Sequence, residues 1–285
     1  MLAPLHLVEC PRDAMQGWKE WIPTEKKIQY INAILKVGFH TIDFGSFVSP
    51  KAIPQMSDTA EVLKGLDLST SSKLLAIIAN ERGAQDAAQY DEINYLGFPF
   101  SVSETFQQRN TNSSIEDALV RVEKIQEVCL QSKKEFVVYL SMGFGNPYGD
   151  AWSEEIVFHW AKELVNRGIK ILSLADTVGL ATADQVGKIT RHLIDALPNT
   201  TIGVHLHSTA SNRIEKLDAA YQAGCRRFDG ALKGIGGCPM ANDDLVGNMD
   251  TEWMIQFFNN KESSLKINED ALEEALRIAG DLFRL

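Results

Sequence analysis

The sequence lacks what would place it in a membrane, a secreted disulfide scaffold or a nucleic-acid complex. No apolar run approaches the roughly 18 to 20 residues of a membrane span, and Met1-Leu2-Ala3-Pro4 leads almost directly into a strand, so no signal peptide is expected. Cysteine is sparse: Cys10, Cys129, Cys225 and Cys238 are widely spaced with no C-x-x-C pair, a pattern expected of reduced thiols in a cytoplasmic protein. Positive charge is short as well. The 28 Lys+Arg stand against 38 Asp+Glu, a formal net charge of −10, which argues against nucleic acid or anionic membrane as partner and requires any phosphate to be met locally. The early part of the chain also has no Gly-x-Gly-x-x-Gly, the phosphate loop that an open doubly wound sheet would typically carry after an early strand.

What is present is an alternation. Leu5 to Cys10 reads as a strand that runs into the charged turn Pro11-Arg12-Asp13, and Pro23-Thr24-Glu25 opens a helix with Ile28, Ile31, Ile34 and Leu35 on one face. Thr41 to Phe44, Lys73 to Ala79, Ile93 to Phe100, Phe136 to Leu140, Ile169 to Leu174, Gly203 to Ser208 and Arg227 to Ala231 read as further strands, most followed by a helical pattern. Gly38, Gly168 and Gly224 each close a helix ahead of a strand ending near Asp43, Asp176 or Asp229. About eight such units at a spacing of roughly 30 residues predict a parallel sheet that closes into a (β/α)8 TIM barrel. The tail beyond Asn268, with Leu272, Leu276 and Ile278 at helical spacing, predicts an additional C-terminal helix. No linker marks a second domain, so residues 1–285 are expected to form one catalytic domain.

A barrel of this kind gathers its chemistry at the carboxyl ends of the strands. Arg12 and Asp13 follow the first strand, Asp43 ends the second, Asp176 the sixth, and His205 and His207 the seventh. Period-2 alternation points both imidazoles the same way, their Cα atoms roughly 6.5 to 7 Å apart. They read either as a satisfied pair of strand histidines or as two ligands of one ion. In the second reading Asp13 faces them across the mouth and Asn248 reaches in after the eighth strand. That N/O set suits a divalent cation, Mg²⁺, Mn²⁺, Co²⁺ or Zn²⁺. Lys233-Gly234-Ile235-Gly236-Gly237-Cys238 reads as a lid carrying a thiol for proton transfer or as a phosphate cradle. Asp43 and Asp176 could instead be structural acids bonded to nearby amides.

Pro11-Arg12-Asp13 with Gln16, Ser46-Phe47-Val48-Ser49-Pro50-Lys51 with Pro54-Gln55-Met56, Asp176-Thr177-Val178-Gly179, His205-Leu206-His207, Gly236-Gly237-Cys238-Pro239 and Gly247-Asn248 follow one another over most of the chain. In these pieces the sequence resembles the 3-hydroxy-3-methylglutaryl-CoA lyase family. The resemblance implies metal-dependent cleavage of that thioester to acetyl-CoA and acetoacetate, with a place in leucine catabolism and ketone-body formation. It implies Asp13, His205, His207 and Asn248 as metal ligands, Arg12 as the group that stabilises the enolate oxygen, and Cys238 as the lid thiol. Asp43 and Asp176 are the remaining catalytic candidates, with either Asp43 or His205 as the hydroxyl's base. Arg12, Gln16, Lys19, Ser46, Lys51 and Thr177 are substrate-binding candidates, and a homo-oligomer, in first place a dimer, is expected. Three positions depart from the family: Ser208 where an aspartate usually follows the histidine pair, Asp43 where a glutamate is frequent, and Asn146 where some relatives carry cysteine. The Ser208 departure predicts that the histidines lack a carboxylate behind them. A lyase for another hydroxyacyl-CoA, a 2-oxo-acid synthase or aldolase, and a non-catalytic acyl-CoA or metal-binding barrel are the competing readings.

Overall fold

The computed structural model describes residues 3–237, 246–261 and 265–284. Its strands are β1 (His6–Glu9), β2 (Thr41–Phe47), β3 (Lys73–Ile78), β4 (Ile93–Ser101), β5 (Glu135–Ser141), β6 (Ile171–Ala175), β7 (Thr201–His205) and β8 (Arg227–Gly230). They pair in parallel in sequence order, and β8 returns to β1 with Val8 opposite Asp229. This is a closed TIM barrel. The helices that alternate with the strands are α1 (Pro11–Gln16), α2 (Thr24–Leu35), α3 (Thr59–Lys64), α4 (Glu81–Ala88), α5 (Glu104–Thr111), α6 (Ile115–Ser132), α7 (Glu154–Asn166), α8 (Ala183–Ala196), α9 (Arg213–Gln222) and α10 (Thr251–Lys261). The expected extra helix is α11 (Glu269–Leu282), capped by Asn268 through Ala271 N–H and packed on α2. Among the described residues no helix is long and apolar enough to cross a membrane.

The local reasons are visible. Gly38, Gly168 and Gly224 take φ of 96°, 87° and 97°, the left-handed conformation that a glycine adopts without strain. Ser114 and Ser153 accept backbone N–H bonds at the starts of α6 and α7, and Thr182 with Gln185 forms a full capping box on α8.

Two expectations change. Arg12 and Asp13 are not in a turn but in the first turn of α1, where Pro11 fits because an N–H at that position would have no helical partner. Asp43 does not end its strand either. β2 runs on to Phe47 across a register shift between Asp43 and Gly45, so Asp43 and Ser46 both belong to the barrel wall. Alternation alone gave no sign of the bulge.

Candidate active site

At the mouth formed by β7, β8 and β1, one ligand atom from each of Asp13, His205 and His207 lies within 4.8 Å of the others, and all three residues are buried. His205 is the last residue of β7. His207, expected in the same strand, instead lies beyond its end and forms an isolated antiparallel bridge with Asn248, so strand alternation does not place it. Asn248 Nδ2 donates to Asp13 Oδ2 (2.6 Å) and to the Ile235 carbonyl (2.9 Å), while its Oδ1 is buried with no hydrogen-bond partner. A buried amide oxygen without a partner is costly, and a cation among these groups would satisfy it.

The histidine tautomers follow from their outer partners. The Val246 carbonyl can only accept, so His207 Nδ1 (2.9 Å away) donates to it and Nε2 keeps its lone pair for the cluster. Asp229 Oδ2 lies 3.4 Å from His205 Nδ1 and holds that ring in the same sense, while Arg227 Nη1 donates to Asp229 Oδ1 (2.6 Å). Thus a carboxylate does stand behind the pair despite Ser208. It comes from β8 rather than from the residue after His207, whose place Ser208 takes with a contact from its Oγ to Met249 Sδ (3.5 Å). Asp229 had been legible only as a strand-end acid. Its role follows from the pairing of β7 with β8, which sets His205 opposite Asp229.

Electrostatics sort the groups. Burial pushes the Asp13 carboxyl up, but Arg12, then His205, bring it to about 2. Burial and the neighbouring His205 hold His207 down at about 4, so it is neutral and able to ligate at physiological pH. For His205, burial is outweighed by Asp229, which raises it. Burial raises Asp43 against the opposing pull of Arg12. Arg12 bridges two carboxylates: Nη1 donates to Asp13 Oδ1 (2.9 Å), and Nη2 (2.5 Å) and Nε (3.1 Å) donate to Asp43 Oδ2. A guanidinium has five N–H groups, and these bonds occupy three of them.

Other candidates fall outside this cluster or serve its frame. Gln16 Nε2 donates to Asp13 Oδ1 (2.8 Å) and so orients one member of the cluster. Thr177 Oγ1 accepts from Met142 N (2.9 Å), and Ser46 Oγ is buried without a partner. Lys19 and Lys51 are exposed. Both oxygens of Asp176 are engaged, Oδ1 by Ala181 N (3.0 Å) and Oδ2 by Lys216 Nζ (2.7 Å), so the expected catalytic acid stands in a buried ion pair. The lid reading of Cys238 lies outside the described residues. Inside the barrel and at its mouth, buried Asp13 and Asp43 meet Arg12, Asp229 meets Arg227, and Asp176 meets Lys216.

Known proteins of similar sequence and fold carry lyase names. A hydroxymethylglutaryl-CoA lyase of Bacillus subtilis is 32% identical over 94% of this chain and 89% of its own length. A 3-hydroxy-3-isohexenylglutaryl-CoA/hydroxymethylglutaryl-CoA lyase of Pseudomonas aeruginosa is 32% identical over 95% of this chain and 90% of its own. The solved structure of an HMG-CoA lyase from Acinetobacter baumannii, in complex with coenzyme A and 3-methylmalate, superposes with a TM-score of 0.91 at 34% identity, covering 100% of this chain and 93% of that one. The family model for HMGL-like proteins matches residues 7–278, nearly the whole barrel, and the chain belongs to that family.

Proposed function

We propose that this protein cleaves 3-hydroxy-3-methylglutaryl-CoA into acetyl-CoA and acetoacetate. The observation that carries the reading is the convergence of Asp13, His205 and His207 with the unpartnered Asn248 Oδ1, beside an arginine that still has free N–H groups. The names of the relatives support it. Asp13, His205, His207 and Asn248 would hold a divalent cation, and the mixture of carboxylate, amide and imidazole favours Mg²⁺ or Mn²⁺. Such a cation would supply Lewis acidity beside the substrate hydroxyl.

The chain's own residues divide the remaining work. The hydroxyl proton passes to Asp43, whose carboxyl burial has raised. His205 is set aside as the base because Nδ1 is turned to Asp229 and Nε2 belongs to the ligand cluster. The carbon–carbon bond breaks, its electron pair moves to the thioester as an enolate, and the free N–H groups of Arg12 stabilise the oxygen where that charge develops. A proton then returns to the enolate carbon from Cys238, which completes acetyl-CoA. Gln16 keeps Asp13 in its ligating rotamer. The three described cysteines are free thiols, which supports a reducing compartment, the cytoplasm.

A coupled assay for acetoacetate with Mg²⁺ or Mn²⁺ tests the reading. Acetoacetate release is expected. No release with any divalent metal, together with condensation of glyoxylate or pyruvate, would replace it with a synthase. Running a substrate with a longer 3-alkenyl group in parallel places this chain relative to the Pseudomonas aeruginosa enzyme.

A further inference from the structure

We propose that Lys216 is a positioning residue of the cation site, holding the main chain of His207 against Asp176 as a fixed anchor. The proposal rests on reading Asp13, His205, His207 and Asn248 as cation ligands. The need for such a strut comes from the strand itself. β7 ends at His205, so His207 stands two residues past the last rung of the barrel. On one side its main chain is held by the 246–249 segment, through Ser208 N to Gly247 O (3.0 Å) and Met249 N to Leu206 O (3.0 Å). On the other side stands Lys216, in the second turn of α9.

The Lys216 side chain is 1% exposed, and its three ammonium protons meet three acceptors: His207 O at 2.8 Å, Asp176 Oδ2 at 2.7 Å and Gly179 O at 3.4 Å. The first belongs to the segment after β7 and the other two to the segment after β6. One ammonium therefore ties two strand ends together at the ligand. Asp176 is itself fixed by Ala181 N–H, so the anchor does not swing. A buried ion pair is weak evidence for stability, since apolar residues of similar volume often fold as well, and its value here is to fix one geometry. Supports of this kind behind a ligand typically change metal affinity by about 10- to 100-fold when removed. Asp176 thereby becomes an anchor and not the acid or base of the reaction.

Lys216→Met separates positioning from charge because the two predict opposite signs. Removing a nearby cation while leaving Asp176 favours cation binding by charge alone, whereas losing the strut weakens it. Mn²⁺ titration of the metal-free protein, read by the electron paramagnetic resonance of free Mn²⁺ well below the melting transition, which falls because Asp176 is left buried without its cation, should show about tenfold weaker binding. Unchanged or tighter binding overturns the proposal. Should Lys216→Met fail to fold, Lys216→Gln, which keeps a polar side chain, is read by the same titration and the same criterion. His207→Ala is the companion measurement. If it leaves Mn²⁺ affinity at the wild-type value, the cation-site reading itself fails, a result distinct from failure of the strut.

Discussion

The barrel interior is two materials. On the side of β3 to β6, Leu75, Ile77, Tyr95, Val137, Tyr139 and Ile171 form an apolar cluster of their own, separate from the main core outside the sheet. On the side of β7, β8 and β2 the same layer holds His205, Arg227, Asp229 and Asp43, closed over by Arg12 and Asp13. Each half uses one glycine to make room for its bulk. A Cβ on Gly97 would stand 2.6 Å from Ile77 Cδ1 and 3.0 Å from Tyr139 Cε2, while one on Gly203 would stand 3.2 Å from both Cβ and Cδ of Arg227. The apolar half is filled as barrel interiors usually are. The ionic half is expensive to bury, and the carboxylates named there each meet a cation, as expected where chemistry rather than stability sets the composition.

If the division is functional, damage to the apolar half should cost stability and damage to the ionic half should cost binding or turnover. The largest expected effect is Leu75→Ala, which leaves a cavity in the apolar cluster and should destabilise the fold by roughly 2–5 kcal/mol in denaturant titration, with Mn²⁺ affinity unchanged. Altered affinity there would mean the halves are not separable. Next comes Arg12→Gln. It should lower kcat/KM for acetoacetate release by about 10²- to 10³-fold, the range for losing a preorganised donor to an oxyanion. A loss below tenfold would remove Arg12 from the chemistry. Asp229→Asn should weaken Mn²⁺ by about 10- to 100-fold, because the amide no longer enforces one tautomer of His205. If calorimetry gives the wild-type affinity, Asp229 merely neutralises Arg227.

The barrel was legible in the sequence because closed parallel sheets write themselves as repeated units. The apolar run from Lys73 and the three glycines Gly38, Gly168 and Gly224, each closing a helix, sit where the structure has them. The convergence of Asp13, His205 and His207 was legible for a related reason: strand ends that are far apart in sequence must become neighbours once eight units close. What was hidden depends on cross-strand pairing. Asp229 serves His205 only because β8 aligns it there. Lys216 lies in a helical stretch, and nothing local in the sequence says that its ammonium turns inward. The bulge after Asp43 leaves no mark in the alternation of its neighbours.

The smallest expected effect on binding and turnover sharpens the comparison from the other face of β1. Glu9 shares that face with Leu7, a member of the main core. It has neutral donors, Leu232 N–H (2.8 Å) and the Thr251 hydroxyl (2.6 Å), where the acids inside the barrel have cations. Burial pushes its carboxyl up to about 8, with nearby Glu252 and Asp250 adding to the rise and the two hydrogen bonds opposing it. An acid with a raised native value keeps its proton while the unfolded chain has already lost it, so stability falls as pH rises from about 4.5 to about 8 and levels off above. Glu9→Gln imitates the protonated acid at every pH, with an oxygen for Leu232 N–H and an N–H for the Thr251 oxygen. At pH 4 its melting temperature should equal the wild type's, and the excess of Glu9→Gln should appear as the pH rises above about 4.5 and be complete by about 8. A difference that did not change with pH would show that Glu9 is ionised in the fold, and that a carboxylate on this face needs no cation.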